Sequence, residues 1–325
     1  MKILVCVHSQ FAVWNIPQSH VDRLRSAFPA HTFVHAFDDN AAVELIGDAE
    51  AAFMGQLTRE QLQAARRLRW IHSPAAGVGG MLFPDMRDSP IVITNSKGMS
   101  AETIAEHVLA VTLAIFRRLP HAFRSQTQRE WAQDAIAKQG NRTIAGSRVL
   151  VVGLGSIGQA VARRMTMLGA RVTGIRRDAD RKLTYVAEVA PPASLREHLA
   201  HTDVVVVAAP HTRETRGLID APALAAMSPE TVVVNVSRGA LVDEAALITA
   251  LREGRIAAAA LDVFEDEPLP PDSPLWNLAN VLITPHTSGF RLDHWDAATA
   301  LFAANLRRFE AGQPLANVVD KQLGY

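Results

Sequence analysis

The sequence predicts an α/β protein made of two doubly wound parallel sheets, and three observations carry that prediction. Short apolar runs alternate with polar, helix-like stretches from residue 2 to about 96, and the alternation starts afresh at 148. The runs are nearly unbroken in Val, Ile, Leu and Ala, as expected of strands covered on both faces. A length of 325 residues is also more than one hydrophobic core ordinarily serves.

In the first series, strands are expected over 2–7, 32–36, 51–54, 69–72 and 91–94, with helical stretches between several of them. A long apolar-periodic helix follows over 100–118. It is opened by Ser100, with Glu102 near its N-terminus, and stopped before Pro120. Residues 124–143 are polar and weakly patterned, which fits a connector. The second series places strands at 148–152, 171–175, 203–208, 231–236, 257–261 and 281–284, with a helix over 157–168 after the first. A last helix over 296–310 ends at Gly312 and Pro314.

Composition excludes several classes of function. Lys+Arg and Asp+Glu both number 33, so no global positive field exists to hold nucleic acid or an anionic membrane. The single cysteine, Cys6, lies in an apolar run and reads as a core residue. It leaves no internal disulfide and no cysteine cluster for zinc, so no metal is expected. The N-terminus lacks the features of a signal peptide, and no run approaches the ~20 apolar residues of a membrane span. The expected setting is the cytoplasm.

The segment Gly153-Leu154-Gly155-Ser156-Ile157-Gly158 fits G-x-G-x-x-G. Such a pattern is weak alone, but here it follows an apolar strand and opens an apolar-periodic helix, the context a dinucleotide site requires. Gly153 permits the tight turn, Gly155 lets backbone approach a pyrophosphate, and Gly158 lets helix and strand pack closely. The free N–H groups at the helix start favour phosphate. At the end of the next strand, where NAD-binding domains place an acid for the adenosine ribose, stand Arg176 and Arg177. A guanidinium pair suits a 2′-phosphate, so NADPH is favoured and NADH stays possible; in the alternative, Asp178 or Asp180 takes the ribose.

Three further residues fall at or just beyond the C-terminal ends of successive predicted strands, where doubly wound sheets bind ligands. Arg238 lies in Asn235-Val236-Ser237-Arg238-Gly239, Glu267 in the acidic loop after 257–261, and His286 in Thr284-Pro285-His286-Thr287-Ser288-Gly289. Reduction of a ketone to an alcohol needs such a set. Arginine can grip a carboxylate and polarise the carbonyl, histidine can supply a proton near neutral pH, and a carboxylate beside the imidazole fixes its orientation. Taken singly, each has a duller reading: a salt-bridge partner, a solvated acidic loop, a hydrogen-bonded loop histidine. Their order after three consecutive strands favours the joint one.

Together these motifs resemble the D-isomer-specific 2-hydroxyacid dehydrogenases. The glycine turn, the segments 235–244, 261–269 and 285–289, and a hinge-like stretch at 95–99 followed by Ile104-Ala105-Glu106-His107 carry the likeness, which covers nearly the whole chain. The resemblance implies a Rossmann cofactor domain inserted into a flavodoxin-like substrate domain, residues 97–290 within 1–96 plus 291–325. It implies that Arg238, Glu267 and His286 are catalytic, with Arg238 and His286 also meeting substrate. It adds cofactor contacts at Ser156, Ile157, Pro210, Thr215, Val236, Asp262 and Ser288. A first-domain loop, here 73–79, would hold the substrate carboxylate on the N–H groups of Ala76 and Gly77. Cleft closure would bring that loop towards Arg238 and exclude water. Arg176 departs from the acid of NAD-using members, and Gly79 from the Asp of many relatives.

Arginine at the ribose position and the proline-rich run 268–276 are similar to glyoxylate/hydroxypyruvate reductases, so reduction of glyoxylate, hydroxypyruvate or a broader set of 2-keto acids is expected. Phosphoglycerate dehydrogenases usually add a regulatory domain, for which the stretch after Gly312 leaves no room. Formate dehydrogenases carry Gln at the position of Glu267. A dinucleotide-sensing binding protein of co-repressor type could keep all three residues, though zero net charge and the lack of interaction tails argue against it. By the same resemblance a homodimer is expected, joined through the helix 100–118 and neighbouring segments.

Overall fold

The computed structural model describes residues 1–180 and 182–325. The chain divides into two compact units, Met1–Met99 with Arg291–Tyr325, and Ser100–Phe290. Residues 97–99 thus belong to the first unit. Met99 packs against that unit's core, and its carbonyl accepts a hydrogen bond from Arg291 Nη1 at 2.7 Å.

In the first unit, β1 (Lys2–Cys6), β2 (Thr32–His35), β3 (Ala51–Met54), β4 (Trp70–Ser73) and β5 (Val92–Asn95) form a parallel sheet in the order β2-β1-β3-β4-β5. This is the flavodoxin-like order. Successive side chains leave opposite faces of a strand, which explains the unbroken apolar runs. Leu4, Ala52, Ile71 and Ile93 enter one cluster, and Ile3, Val5, Phe53 and Trp70 the other. The second cluster is closed by the helix His294–Glu310, which places Ala298, Phe302 and Leu306 on one stripe. Phe302 stacks on Phe53 and Trp70 with ring centroids 4.7 and 5.3 Å apart, and truncating it to alanine would cost about 3–5 kcal/mol.

The second unit holds β6 (Arg148–Val152), β7 (Arg171–Ile175), β8 (Glu188–Ala190), β9 (Val204–Val207), β10 (Val232–Asn235), β11 (Ala258–Leu261) and β12 (Val281–Ile283). They form a parallel sheet in the order β12-β11-β10-β9-β6-β7-β8. The chain runs one way through β6, β7 and β8, then returns to β9 on the other side of β6. That reversal is the Rossmann switch point. Register aligns Val152, Val207, Asn235 and Leu261 with Ile283, so the residues after them share one rim of the sheet.

Three sequence expectations change. The edge strand β8 has no counterpart among the predicted strands, because three residues are too few to show a period. The connector is partly helical, over Leu119–Gln128 and Gln133–Lys138. Ser100 sits at the start of the helix Ala101–Phe116, but its side chain makes no capping bond, and Arg118 leaves the helix in the left-handed region at φ 57°. Glu102 instead pairs with Arg163 and Arg164 of the helix Ser156–Met167. Among the described residues, no helix is long and apolar enough to cross a membrane.

Candidate active site

The glycine turn joins β6 to the helix Ser156–Met167. Gly153 has φ +97°, and a Cβ there would lie 2.5 Å from the Ala209 Cα, so the crossing strand end leaves no room for a side chain. A Cβ on Gly158 would lie 1.9 Å from the Gly153 carbonyl oxygen, which fixes how closely the helix packs on the turn. At Gly155, by contrast, a Cβ would meet nothing within 4 Å. That open side faces a helix start with no side-chain cap, where Ser156 and Ile157 occupy the first turn with free N–H groups. The turn fits a pyrophosphate.

Beyond β7, Arg176 is held by its backbone N–H on the Ala190 carbonyl at 3.1 Å. Its side chain is largely covered, and Nη1 is buried with no hydrogen-bond partner among the described residues; Asp178 lies 3.8 Å from Nη2. A buried guanidinium nitrogen without an acceptor is costly in isolation and fits an oxyanion supplied by a ligand. Arg177 follows it in the chain. On the next rim segment, Thr215 donates its hydroxyl to the Pro210 carbonyl at 2.6 Å, bringing these two expected cofactor contacts together.

The residues after β10 form a turn organised by Asn235. Its Oδ1 accepts from Ser237 N–H at 3.1 Å, and its Nδ2 donates to the Arg238 carbonyl at 3.0 Å. Val236 is buried behind this turn, and Ser237 donates its hydroxyl to Ala209. A Cβ on Gly239 would lie 1.9 Å from the Phe264 carbonyl carbon, so only glycine lets the Arg238 segment come this close to the Glu267 loop. Partial burial lowers the Arg238 pKa, and the nearby Glu267 carboxylate opposes that shift.

Glu267 Oε1 accepts from Phe264 N–H at 3.0 Å, while Oε2 lies 2.6 Å from His286 Nδ1. Burial raises the Glu267 pKa, but the His286 hydrogen bond, the Phe264 N–H and the charges of His286 and Arg238 outweigh it, leaving it below 4.5. The carboxylate is therefore ionised at neutral pH. It requires a proton on Nδ1, which leaves Nε2 as the edge of a half-exposed ring that can hold a transferable proton. Arg238, Glu267 and His286, 48 residues apart in sequence at the extremes, are thus brought to one rim of one sheet.

Asp262 sits beneath this pair and is 1% exposed. Its Oδ1 accepts from the Thr284 hydroxyl at 2.6 Å and the Thr287 N–H at 2.9 Å, and its Oδ2 from the Ser288 N–H at 3.0 Å. Its carbonyl takes the His286 N–H at 2.9 Å, with His286 at φ +53°. Asp262 therefore shapes the loop that carries His286 and Ser288. The sequence singled out Asp262 as a cofactor contact but not as this hub, and it did not single out His107, whose Nε2 lies 3.3 Å from the Thr284 hydroxyl. The signal available was the polar Thr284 ending an apolar strand.

In the first unit, the loop after β4 presents Ala76 and Gly77, both exposed. Among the described residues, one group could hold a metal by proximity: Cys6, His8 and Asp39, with ligand atoms within 4.8 Å of one another. Burial, with help from Asp39 and Asp38, pushes the Cys6 thiol up to about 12, and Asp39 Oδ1 already accepts from Gln61 at 2.9 Å.

Comparison with known proteins bears on this geometry. Residues 109–288 match the family model of the D-isomer specific 2-hydroxyacid dehydrogenase NAD binding domain. The chain is 34% identical over 291 residues to a glyoxylate reductase of Korarchaeum cryptofilum, covering 88% of this chain and 84% of that one. It is 34% identical over 295 residues to D-3-phosphoglycerate dehydrogenase of Mycobacterium tuberculosis, covering 87% of this chain and 53% of that protein, about half its length. A D-isomer specific 2-hydroxyacid dehydrogenase of Xanthobacter autotrophicus, solved with NADPH and MES, superposes with a TM-score of 0.84 at 33% identity, covering 100% of this chain and 99% of that one.

Proposed function

We propose, for a chain that belongs to the D-isomer specific 2-hydroxyacid dehydrogenase family, that it reduces small 2-keto acids to D-2-hydroxy acids with NADPH as the preferred cofactor. The observation that carries this reading is the 2.6 Å contact between His286 Nδ1 and Glu267 Oε2, on the same rim as Arg238 and the glycine turn. A nicotinamide dinucleotide, when bound, supplies the hydride that reaches the keto carbon.

The chain's own residues do the rest. Arg238 grips the substrate's carboxylate and draws electron density towards the carbonyl oxygen. His286 gives its Nε2 proton to that oxygen as negative charge develops, and solvent restores the proton afterwards. Glu267 stays ionised, keeps Nδ1 protonated and stabilises the charged imidazole. Gly155, Ser156, Ile157 and Gly158 cradle the pyrophosphate, and Arg176 with Arg177 meets the 2′-phosphate. Pro210, Thr215, Val236 and Ser288 line the remaining cofactor path. The glyoxylate reductase relative supports glyoxylate as a substrate, and the NADPH complex of the X. autotrophicus protein supports the cofactor choice.

A homodimer is part of the proposal. Trp131 is 89% and Phe123 60% exposed in the segment after the helix Ala101–Phe116, an apolar surface suited to a second copy of this chain.

The test is a panel of 2-keto acids assayed with NADPH and NADH side by side. Turnover of glyoxylate or hydroxypyruvate, faster with NADPH, is expected. Tight dinucleotide binding with no turnover of any member would instead favour the sensing role.

A further inference from the structure

We infer that Asn95 is the positioning residue that aims the substrate-binding N–H groups of the first unit; this rests on the reading of Ala76 and Gly77 as carboxylate donors. Register sets Ser73, the last residue of β4, beside Asn95, the last of β5, so the loop after one strand runs against the segment after the other. Asn95 Nδ2 donates to the Ala76 carbonyl at 2.6 Å, and Ser96 N–H donates to the Ala75 carbonyl at 3.1 Å. The Ser96 hydroxyl adds a bond to the Ser73 carbonyl at 3.1 Å.

A trans peptide is planar, with its C=O and N–H pointing in opposite directions. Pinning the Ala75 oxygen therefore turns the Ala76 N–H away from the 95–96 segment, and pinning the Ala76 oxygen does the same for Gly77. These are the two N–H groups singled out from sequence. Neither donates to any partner among the described residues, and both belong to exposed residues. Two consecutive free N–H groups with fixed directions form a concavity suited to a carboxylate.

Asn95 is itself 2% exposed and tied from both sides. Its Oδ1 accepts from Lys97 N–H at 3.1 Å, which fixes which end of the amide faces Ala76. Its backbone is held by Asn317 of the returning C-terminal segment. The Asn95 N–H donates to the Asn317 carbonyl at 3.1 Å, and Asn317 Nδ2 donates to the Asn95 and Lys97 carbonyls at 3.1 and 3.0 Å. Asn317 adopts φ +55°, and Val319 N–H continues the pairing on Ile93 at 2.9 Å. Chain near the C-terminus thus sets the direction of donors more than two hundred residues earlier in sequence.

Asn95→Asp tests this, since the carboxylate keeps the Lys97 bond but turns an acceptor towards the Ala76 oxygen. Loss of alignment to a charged ligand should raise KM for hydroxypyruvate, and the inhibition constant of oxalate, roughly 10- to 100-fold. kcat at saturating substrate and the Kd for NADPH should stay within about twofold, a split that general destabilisation would not give. Asn317→Gly, which keeps the left-handed backbone and removes the amide, should move the same constants the same way by a smaller factor, and it reads the tie even where Asn95→Asp folds poorly. Gly77→Pro, which deletes one donor, checks the underlying reading. If Gly77→Pro raises KM while Asn95→Asp and Asn317→Gly do not, Asn95 has no positioning role. If all three leave KM and oxalate binding unchanged, this loop does not hold the carboxylate at all.

Discussion

Two regions of the second unit's rim treat their charged groups in opposite ways. Around His286 the carboxylates are satisfied within the chain: Glu267 is held by Phe264 and His286, and Asp262 by Thr284, Thr287 and Ser288. Beyond β7, Arg176 is largely covered yet leaves Nη1 without an acceptor among the described residues. The contrast separates chemistry from selection. A proton donor works best when its orientation is fixed before substrate arrives, because reorganisation during reaction adds to the barrier. A selectivity group works best when its bonding is completed by the right ligand alone, because the wrong ligand then leaves a buried donor unpaired.

Breaking the pre-organised region should have the largest effect. His286→Ala is expected to lower kcat about 10²- to 10⁴-fold with NADPH affinity nearly unchanged, read by steady-state kinetics beside fluorescence titration. Comparable turnover in the variant would remove His286 as the acid. Arg238→Ala should lower kcat/KM for the keto acid by about 10²- to 10³-fold. Arg238→Lys should recover only part of it, since a point charge lacks the planar fork; an unchanged kcat/KM in the alanine variant would contradict the assigned role.

The selective region predicts a smaller but asymmetric loss. Replacing Arg176 and Arg177 together by serine should raise the KM for NADPH roughly 10- to 100-fold and leave that for NADH within about twofold. Equal losses for both cofactors would show that no 2′-phosphate is read there.

The smallest effect concerns pH. The folded pKa of Glu267 lies below 4.5, so its contribution to stability is complete above that value and is lost as pH falls through the lowered one. Because the pair is partly exposed, Glu267→Gln should change the urea unfolding free energy at pH 7 by no more than about 1 kcal/mol. The difference should vanish at low pH. A wild-type stability loss assigned to Glu267 that begins well above pH 4.5 would overturn the pairing as the cause of the shift.

Much of this arrangement was legible in the residues. Unbroken Val-rich runs, the turn Gly153–Gly158, and Arg238, Glu267 and His286 after successive strands were read in sequence, because strand period and backbone sterics act locally. The edge strand β8 was not, since a strand of three residues owes its existence to its neighbour, Thr173–Ile175, rather than to its own pattern. The helical turns at 119–138 were hidden for a related reason, lacking a broad apolar face; that stretch buries only Ser125 within its helices.

What the sequence determined alone was chemical identity: which groups can donate protons, grip an anion or permit a tight turn, and where along the chain they fall. Direction was decided by tertiary structure. The proton on His286 Nδ1, the orphaned nitrogen of Arg176 and the outward N–H of Gly77 each follow from a partner distant in sequence, or from the absence of one. Hydrogen-bond geometry is set by relative position in space, and no spacing along the chain encodes it.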